Sequence, residues 1–185
     1  MRIIEKKNLE RNIFKNLRKN SSSIDKRNVK TNVQLFLESI FKKDINKKYI
    51  GIYWPLKNEV DVRSLGDKYS LALPRCEKNK KLLFCSWDEK NLTKDFEGIP
   101  APVSSNKLSY AQISIIFIPC LSVDKNFIRL GYGGGYFDIL RQNRNWRNIP
   151  CIGLLTSNCV SNNLLTRADW DIPLSGFITE KEIIV

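Results

Sequence analysis

At 185 residues the chain has the length of one domain and can bury roughly two-thirds of its unfolded surface, and its 42% apolar and 27% charged residues exclude a chain that is disordered as a whole. The absence of histidine excludes Ser-His-Asp and Cys-His nucleophiles and every His-ligated metal site, so catalysis would rest on carboxylates, cations, backbone amides or a bound metal. The formal charge of +12 is concentrated: residues 1–50 hold fourteen Lys or Arg against five Asp or Glu, a net +9, and the other 135 residues carry +3.

In that basic segment Leu9, Ile13, Phe14 and Leu17 recur at helical spacing, and Val29, Val33, Phe36, Leu37, Ile40 and Phe41 do so after the helix-starting cluster Ser21-Ser22-Ser23. Two amphipathic helices are predicted. Their basic faces could follow nucleic acid, attract an anionic small substrate or simply be solvated. Strands are predicted from β-branched and aromatic runs at Tyr49 to Trp54, Leu71 to Leu73, Leu82 to Trp87, Ile113 to Ile118 and Cys151 to Leu155. The runs at 49 and 113 are apolar on both faces, as in parallel strands covered on both sides, and helical stretches are predicted near 60 to 69 and 136 to 143. Gly98 to Asn106, with Pro100 and Pro102, is expected to be a surface loop. The fold expected is a single three-layer α/β domain over 1–185, its mostly parallel central sheet covered by helices and preceded by basic N-terminal helices.

The longest nearly apolar run, Ile113 to Leu121, is broken by Ser114 and Pro119 and falls well short of the ~20 residues that cross a bilayer. Met1-Arg2-Ile3-Ile4-Glu5 lacks the apolar core of a secretory signal, so a cytoplasmic protein is expected. Five cysteines without a Cys-x-x-Cys pair point to reduced, buried thiols and not to a disulfide framework or zinc site.

The stretch most charged with chemistry is Arg129-Leu130-Gly131-Tyr132-Gly133-Gly134-Gly135-Tyr136-Phe137-Asp138, which holds four of the nine glycines. Glycines let successive N–H groups converge on an anion, helped by a helix starting near Tyr136, so the stretch is either a phosphate cradle or a flexible hairpin turn. Arg129 adds a forked cation suited to phosphate and Asp138 a hard oxygen ligand of the kind Mg²⁺ prefers. It is neither a Walker loop nor a Rossmann fingerprint, because no Gly-Lys-Ser/Thr ends it and the glycine spacing differs.

With the upstream Phe117-Ile118-Pro119-Cys120-Leu121-Ser122-Val123-Asp124, this stretch resembles the Pro-x-Leu-x-Phe-Asp…Arg-Leu-Gly-x-Gly-x-Gly-Tyr-Tyr-Asp pattern of the 5-formyltetrahydrofolate cyclo-ligases. The likeness continues through the basic first helix with Lys6, Tyr53-Trp54-Pro55…Asn58-Glu59-Val60-Asp61, Leu73-Pro74-Arg75, Ile99-Pro100-Ala101-Pro102 and Asp171-Ile172-Pro173-Leu174…Thr179-Glu180. It implies an ATP- and Mg²⁺ (magnesium)-dependent closure of 5-formyltetrahydrofolate to 5,10-methenyltetrahydrofolate through a phosphorylated formyl group. It implies ATP contacts from Lys6, Arg75, Arg129, Gly131, Tyr132, Gly133, Gly134, Gly135, Tyr136 and Phe137. Arg129, Gly133, Gly134, Gly135 and Tyr136 would approach the reacting group, and Trp54 and Glu59 would join Tyr132 to Tyr136 in binding folate. Asp138 and Asp171 would hold the metal. The family's first helix often has Lys-x-x-Leu-Arg, whereas Arg11 here stands one place late. The partners implied are small molecules, with neither nucleic acid nor membrane, and a monomer is expected.

Overall fold

The computed structural model describes residues 2–41, 48–88 and 91–185. Helix α1 (Ile3–Lys19) leads into α2 (Ser23–Ile40), which begins at a capping box: Ser22 Oγ accepts from the Asp25 N–H at 3.0 Å and Asp25 Oδ2 from the Ser22 N–H at 3.1 Å. Helix α2 buries Val29, Val33, Phe36 and Leu37, one stripe at helical spacing, as the periodicity predicts. Helix α1 departs from the predicted register. It buries Lys7, Phe14 and Arg18, while Leu9 and Ile13 are 53% and 57% exposed. Both buried cations meet carboxylates, Asp171 and Glu59, and these long-range partners decide which face turns inward.

The strands follow as β1 (Tyr49–Gly51), β2 (Leu71–Cys76), β3 (Leu82–Trp87), β4 (Leu92–Lys94), β5 (Pro100–Pro102), β6 (Ile113–Pro119), β7 (Ser122–Val123), β8 (Arg129–Leu130), β9 (Cys151–Leu154), β10 (Gly176–Ile178) and β11 (Ile183–Ile184). Helices α3 (Tyr136–Gln142) and α4 (Arg144–Arg147) lie between β8 and β9. Seven strands form the main sheet in the order β11-β10-β9-β6-β1-β2-β3, parallel through the middle and antiparallel at the edge strands β3 and β11. Alternate residues of β6 serve opposite layers. Ile115 and Phe117 pack with Val33 and Leu37 of α2, whereas Ile116 and Ile118 pack in the core that Leu140 of α3 and Trp146 of α4 cover. The three-layer α/β arrangement and its mostly parallel sheet are those the sequence predicts.

Three local expectations change. The helix near 60 to 69 is a short 3₁₀ turn, Arg63–Asp67, and the loop from Gly98 contains β5, antiparallel to β4. Strand β10, placed beside β9, was not foreseen in the sequence. Among the described residues no helix is long and apolar enough to cross a membrane, and all five cysteines are buried and free.

The α1 register gives a paired prediction. Phe117→Ala, at a fully buried site, should cost about 3–5 kcal/mol in urea unfolding. Ile13→Ala should change stability by less than about 0.5 kcal/mol, and a loss of core size at Ile13 would contradict the face assigned here.

Candidate functional site

Strands β1 and β6 are neighbours whose chains continue in opposite directions, β1 toward β2 and β6 toward β9. In open α/β sheets such a switch point leaves a crevice beyond the carboxyl ends of the strands. A cleft of about 800 Å³ lies there, reached by Tyr53 and Trp54 after β1, Cys76 at the end of β2, Pro119 at the end of β6, and the whole segment Arg129 to Ile139.

The β7–β8 pair carries that segment. Its turn is fixed by the buried Asp124, whose Oδ1 accepts from the N–H groups of Asn126 at 2.9 Å and Ile128 at 3.0 Å, while Oδ2 accepts from Leu165 at 2.9 Å. Beyond β8 the glycine loop takes up φ +101° at Gly133 and +77° at Gly135, the residue that starts α3, and side-chained residues adopt such values only with strain. Arg129 lies beneath the loop. Its Nη2 donates to Asp138 Oδ1 at 2.8 Å, its Nη1 to the Pro119 carbonyl at 3.3 Å, and its guanidinium lies 5.7 Å from the Phe137 ring centre. Burial is the largest influence on Arg129 and would lower its pKa, but the charge and hydrogen bond of Asp138 together with the nearby Cys120 and Cys151 hold the guanidinium above its ordinary value. Burial would likewise raise the Asp138 carboxyl, but the charge and hydrogen bond of Arg129 hold it below 3.8.

Helix α1 forms a second wall. Ile3, Lys7 and Arg11, spaced four residues apart, line the cleft, and Lys7 Nζ pairs with Asp171 Oδ2, which also accepts from the Ala168 N–H at 2.7 Å. Arg11 donates through Nε to the Gly131 carbonyl at 2.9 Å and through Nη1 to Asn8 Oδ1 at 2.7 Å. Lys6, expected at the site, is exposed and outside the cleft lining, because one residue along a helix is a turn of about 100°. The four-residue lysine-to-arginine spacing of the family pattern is kept by Lys7 and Arg11, both of which line the cleft. Arg75 also lies outside the cleft lining. It ties β2 to β4 and β5 through Thr93 Oγ1 at 3.0 Å and the Pro102 carbonyl at 3.1 Å, and pairs with Glu77 at 3.2 Å.

The third wall follows β1. The Trp54 ring carries the Arg63 guanidinium 4.3 Å from its centre and meets Trp87 edge-on at 6.3 Å. Glu59 is buried, and Oε2 accepts from the Leu56 N–H at 2.7 Å while Oε1 lies 3.5 Å from Arg18 Nη1. Burial raises its carboxyl pKa against the lowering effects of the Leu56 N–H and the Arg18 charge. The same guanidinium stands 4.9 Å from the Tyr132 ring centre, so one buried cation joins α1, Glu59 and the glycine loop. Tyr136 Oη donates to Glu97 Oε1 at 2.6 Å. No sequence signal marks Arg18 or Glu97, because both reach the site through contacts made only in the fold.

Thus Trp54, Glu59, Arg129, Gly131 to Phe137, Asp138 and Asp171 line one cleft, and Lys6 and Arg75 do not. Among the described residues no group of three or more His, Cys, Asp or Glu could by itself hold a metal ion. The ion pairs use Oδ1 of Asp138 and Oδ2 of Asp171, so each aspartate keeps a second oxygen outside those pairs, and both residues line a cleft that also holds cations. That donor set fits Mg²⁺ only as part of a phosphate complex, with waters and ligand oxygens completing the shell.

These features define an α/β protein with one cation-walled ligand cleft at the switch point of its sheet. The chain belongs to the 5-formyltetrahydrofolate cyclo-ligase family, which it matches over residues 3–180. It is 37% identical over 70 residues to the 5-formyltetrahydrofolate cyclo-ligase of Haemophilus influenzae, a stretch covering 37% of this chain and 36% of that protein. A 5,10-methenyltetrahydrofolate synthetase from Aquifex aeolicus has a similar structure, with a TM-score of 0.76 and 25% identity over 96% of this chain and 91% of that one. The fold is shared with a 5,10-methenyltetrahydrofolate synthetase from Mycoplasma pneumoniae at a TM-score of 0.72 and 23% identity, covering 94% of this chain and 98% of that one.

The Arg129–Asp138 pair sets an acid limb of stability. Because the folded pKa of Asp138 is depressed, its contribution is fully present above the ordinary value of 3.8 and is lost as pH falls through the lower folded value. Below 3.8 the wild-type protein should therefore lose stability more steeply than Asp138→Asn, as measured by urea unfolding at stepped pH. Parallel pH curves for the two proteins would contradict the pairing.

Proposed function

We propose that this cleft closes 5-formyltetrahydrofolate to 5,10-methenyltetrahydrofolate at the expense of ATP. The observation that supports this most is the continuity of the cleft: the glycine loop with Arg129 and the Trp54–Glu59 wall open into one space, so two ligands can meet in it. The loop and Arg129 bind the ATP phosphates, joined by Lys7 and Arg11 from α1. Trp54 offers an aromatic face to the folate ring system, and Glu59 offers a buried acceptor to its N–H groups.

In the proposed reaction the formyl oxygen forms a bond to the γ-phosphorus as the bond to the β-phosphate bridging oxygen breaks and ADP leaves. N10 then attacks the activated carbon, the carbon–oxygen bond breaks to release phosphate, and N10 gives up its proton. Arg129, the N–H groups of Gly133, Gly134 and Gly135, and Tyr136 would stabilise charge on the moving phosphoryl group, and no imidazole is needed. Asp138 and Asp171 would hold Mg²⁺, which when bound neutralises charge on the phosphate oxygens.

The methenyl product absorbs near the visible edge where the formyl substrate does not. Its appearance should require both ATP and Mg²⁺, and turnover persisting in EDTA would contradict the proposal. Asp138→Asn should lower turnover about 100-fold, roughly 2.7 kcal/mol of barrier. Glu59→Gln should raise KM for 5-formyltetrahydrofolate about tenfold, near 1.4 kcal/mol, and leave KM for ATP within about twofold. Equal losses for both substrates would make Glu59 a purely structural residue.

A further inference from the structure

The hairpin that joins β2 to β3 closes with the Lys81 N–H donating to the Lys78 carbonyl at 3.3 Å, and the two residues between, Asn79 and Lys80, both have φ +57°. Two successive left-handed residues under that bond make a type I′ turn, whose second central position favours glycine. Asn79 suits the first position, since asparagine tolerates left-handed backbone well. Lys80 does not suit the second, where a glycine would fold without strain. Backbone strain held by a side chain is a reason to ask what that side chain does.

Lys80 lines the cleft at its glycine-loop end. A Cβ built on Gly135 would lie 3.9 Å from both Cδ and Nζ of Lys80, and one built on Gly133 would lie 3.4 Å from Cζ of Arg11. Two cations from separate elements therefore overhang one five-residue loop. The buried pairs of the cleft are taken up elsewhere, Lys7 with Asp171, Arg18 with Glu59 and Arg129 with Asp138. Glu97, another cleft carboxylate, accepts from Tyr136. Among the described residues neither Arg11 nor Lys80 makes an ion pair. Two like charges over one loop that no carboxylate pairs with call for a ligand with several negative charges.

We infer that Lys80 is a further nucleotide-binding residue, its ammonium donating to a non-bridging oxygen of the ATP phosphates at the Gly135 end of the loop. This rests on the reading of the cleft as an ATP site. A compact ammonium with three donors suits a phosphate oxygen as a point charge, and the strained turn fixes where it can reach.

Binding of a non-hydrolysable ATP analogue with Mg²⁺, measured by calorimetry in the absence of folate, tests the inference together with thermal unfolding of the free proteins. Lys80→Gly should raise Kd about tenfold while its melting temperature equals or exceeds that of the wild type, because glycine relieves the turn. Lys80→Arg should bind within about threefold of the wild type, because it keeps the charge. Wild-type affinity in Lys80→Gly overturns the inference, as does a weaker affinity accompanied by a lower melting temperature, which would mark a structural role. A raised KM for 5-formyltetrahydrofolate with nucleotide binding intact also overturns it, by assigning Lys80 to folate carboxylates. Failure of the wild-type protein to bind the analogue would defeat the ATP reading itself, an outcome distinct from all of these.

Discussion

A guanidinium withdrawn from water has to be surrounded by acceptors, and Arg129 meets that requirement with groups from the end of β6 and the first turn of α3. The end of β6 supplies the Pro119 carbonyl, the first turn of α3 supplies Asp138, and Phe137 offers its ring. Above lies Gly131, where a Cβ would come within 3.0–3.1 Å of the guanidinium atoms. The closeness of that contact explains a glycine there without reference to any ligand. A buried ion pair of this kind is weak as a source of net stability and strong as a constraint on position, since breaking it strands a charge. The glycine loop is thereby held in shape before any ligand arrives.

The same physics governs α1. A helix seated by apolar contacts alone would have buried Leu9 and Ile13, yet α1 turns Lys7 and Arg18 inward because Asp171 and Glu59 wait for them. Each of these pairs joins one wall of the cleft to another: α1 to the segment before β10, and α1 to the loop after β1. Arg18 extends the link to the ring of Tyr132. The basic excess of the N-terminal region is thus structural in part, through Lys7 and Arg18, and faces the cleft in part, through Arg11.

What the sequence disclosed follows from how local each signal was. The strands at 49, 71, 82, 113 and 151 are runs of β-branched and aromatic residues, and α2 is a regular stripe with its own cap, so each could be found without knowing its neighbours. Gly176-Phe177-Ile178 is too short to show any period, and Pro100 and Pro102 disguise an edge strand whose pairing is visible only in space. The glycine loop was legible from composition, and its flanking Arg129 and Asp138 from charge. Lys6 was chosen over Lys7 because sequence alone does not fix the rotation of a helix about its axis when the pairs that fix it lie 41 and 164 residues away. Arg75 follows a strand residue that reaches the cleft, but side chains alternate along a strand, and its own partners are Thr93 and Pro102. Asn79-Lys80 gave no hairpin signal because lysine takes the place where such turns usually carry glycine.

The proposed reaction joins the γ-phosphorus of ATP to the formyl oxygen of a folate, and that transfer can be followed atom by atom. 5-Formyltetrahydrofolate labelled with oxygen-18 in the formyl group should be turned over in ordinary water with unlabelled ATP, and the released phosphate analysed by mass spectrometry. Each phosphate should carry one labelled oxygen and form in equal number with methenyl product, because the bridging oxygen leaves with phosphorus. Unlabelled phosphate would show that water takes the phosphoryl group, and would contradict the proposed transfer.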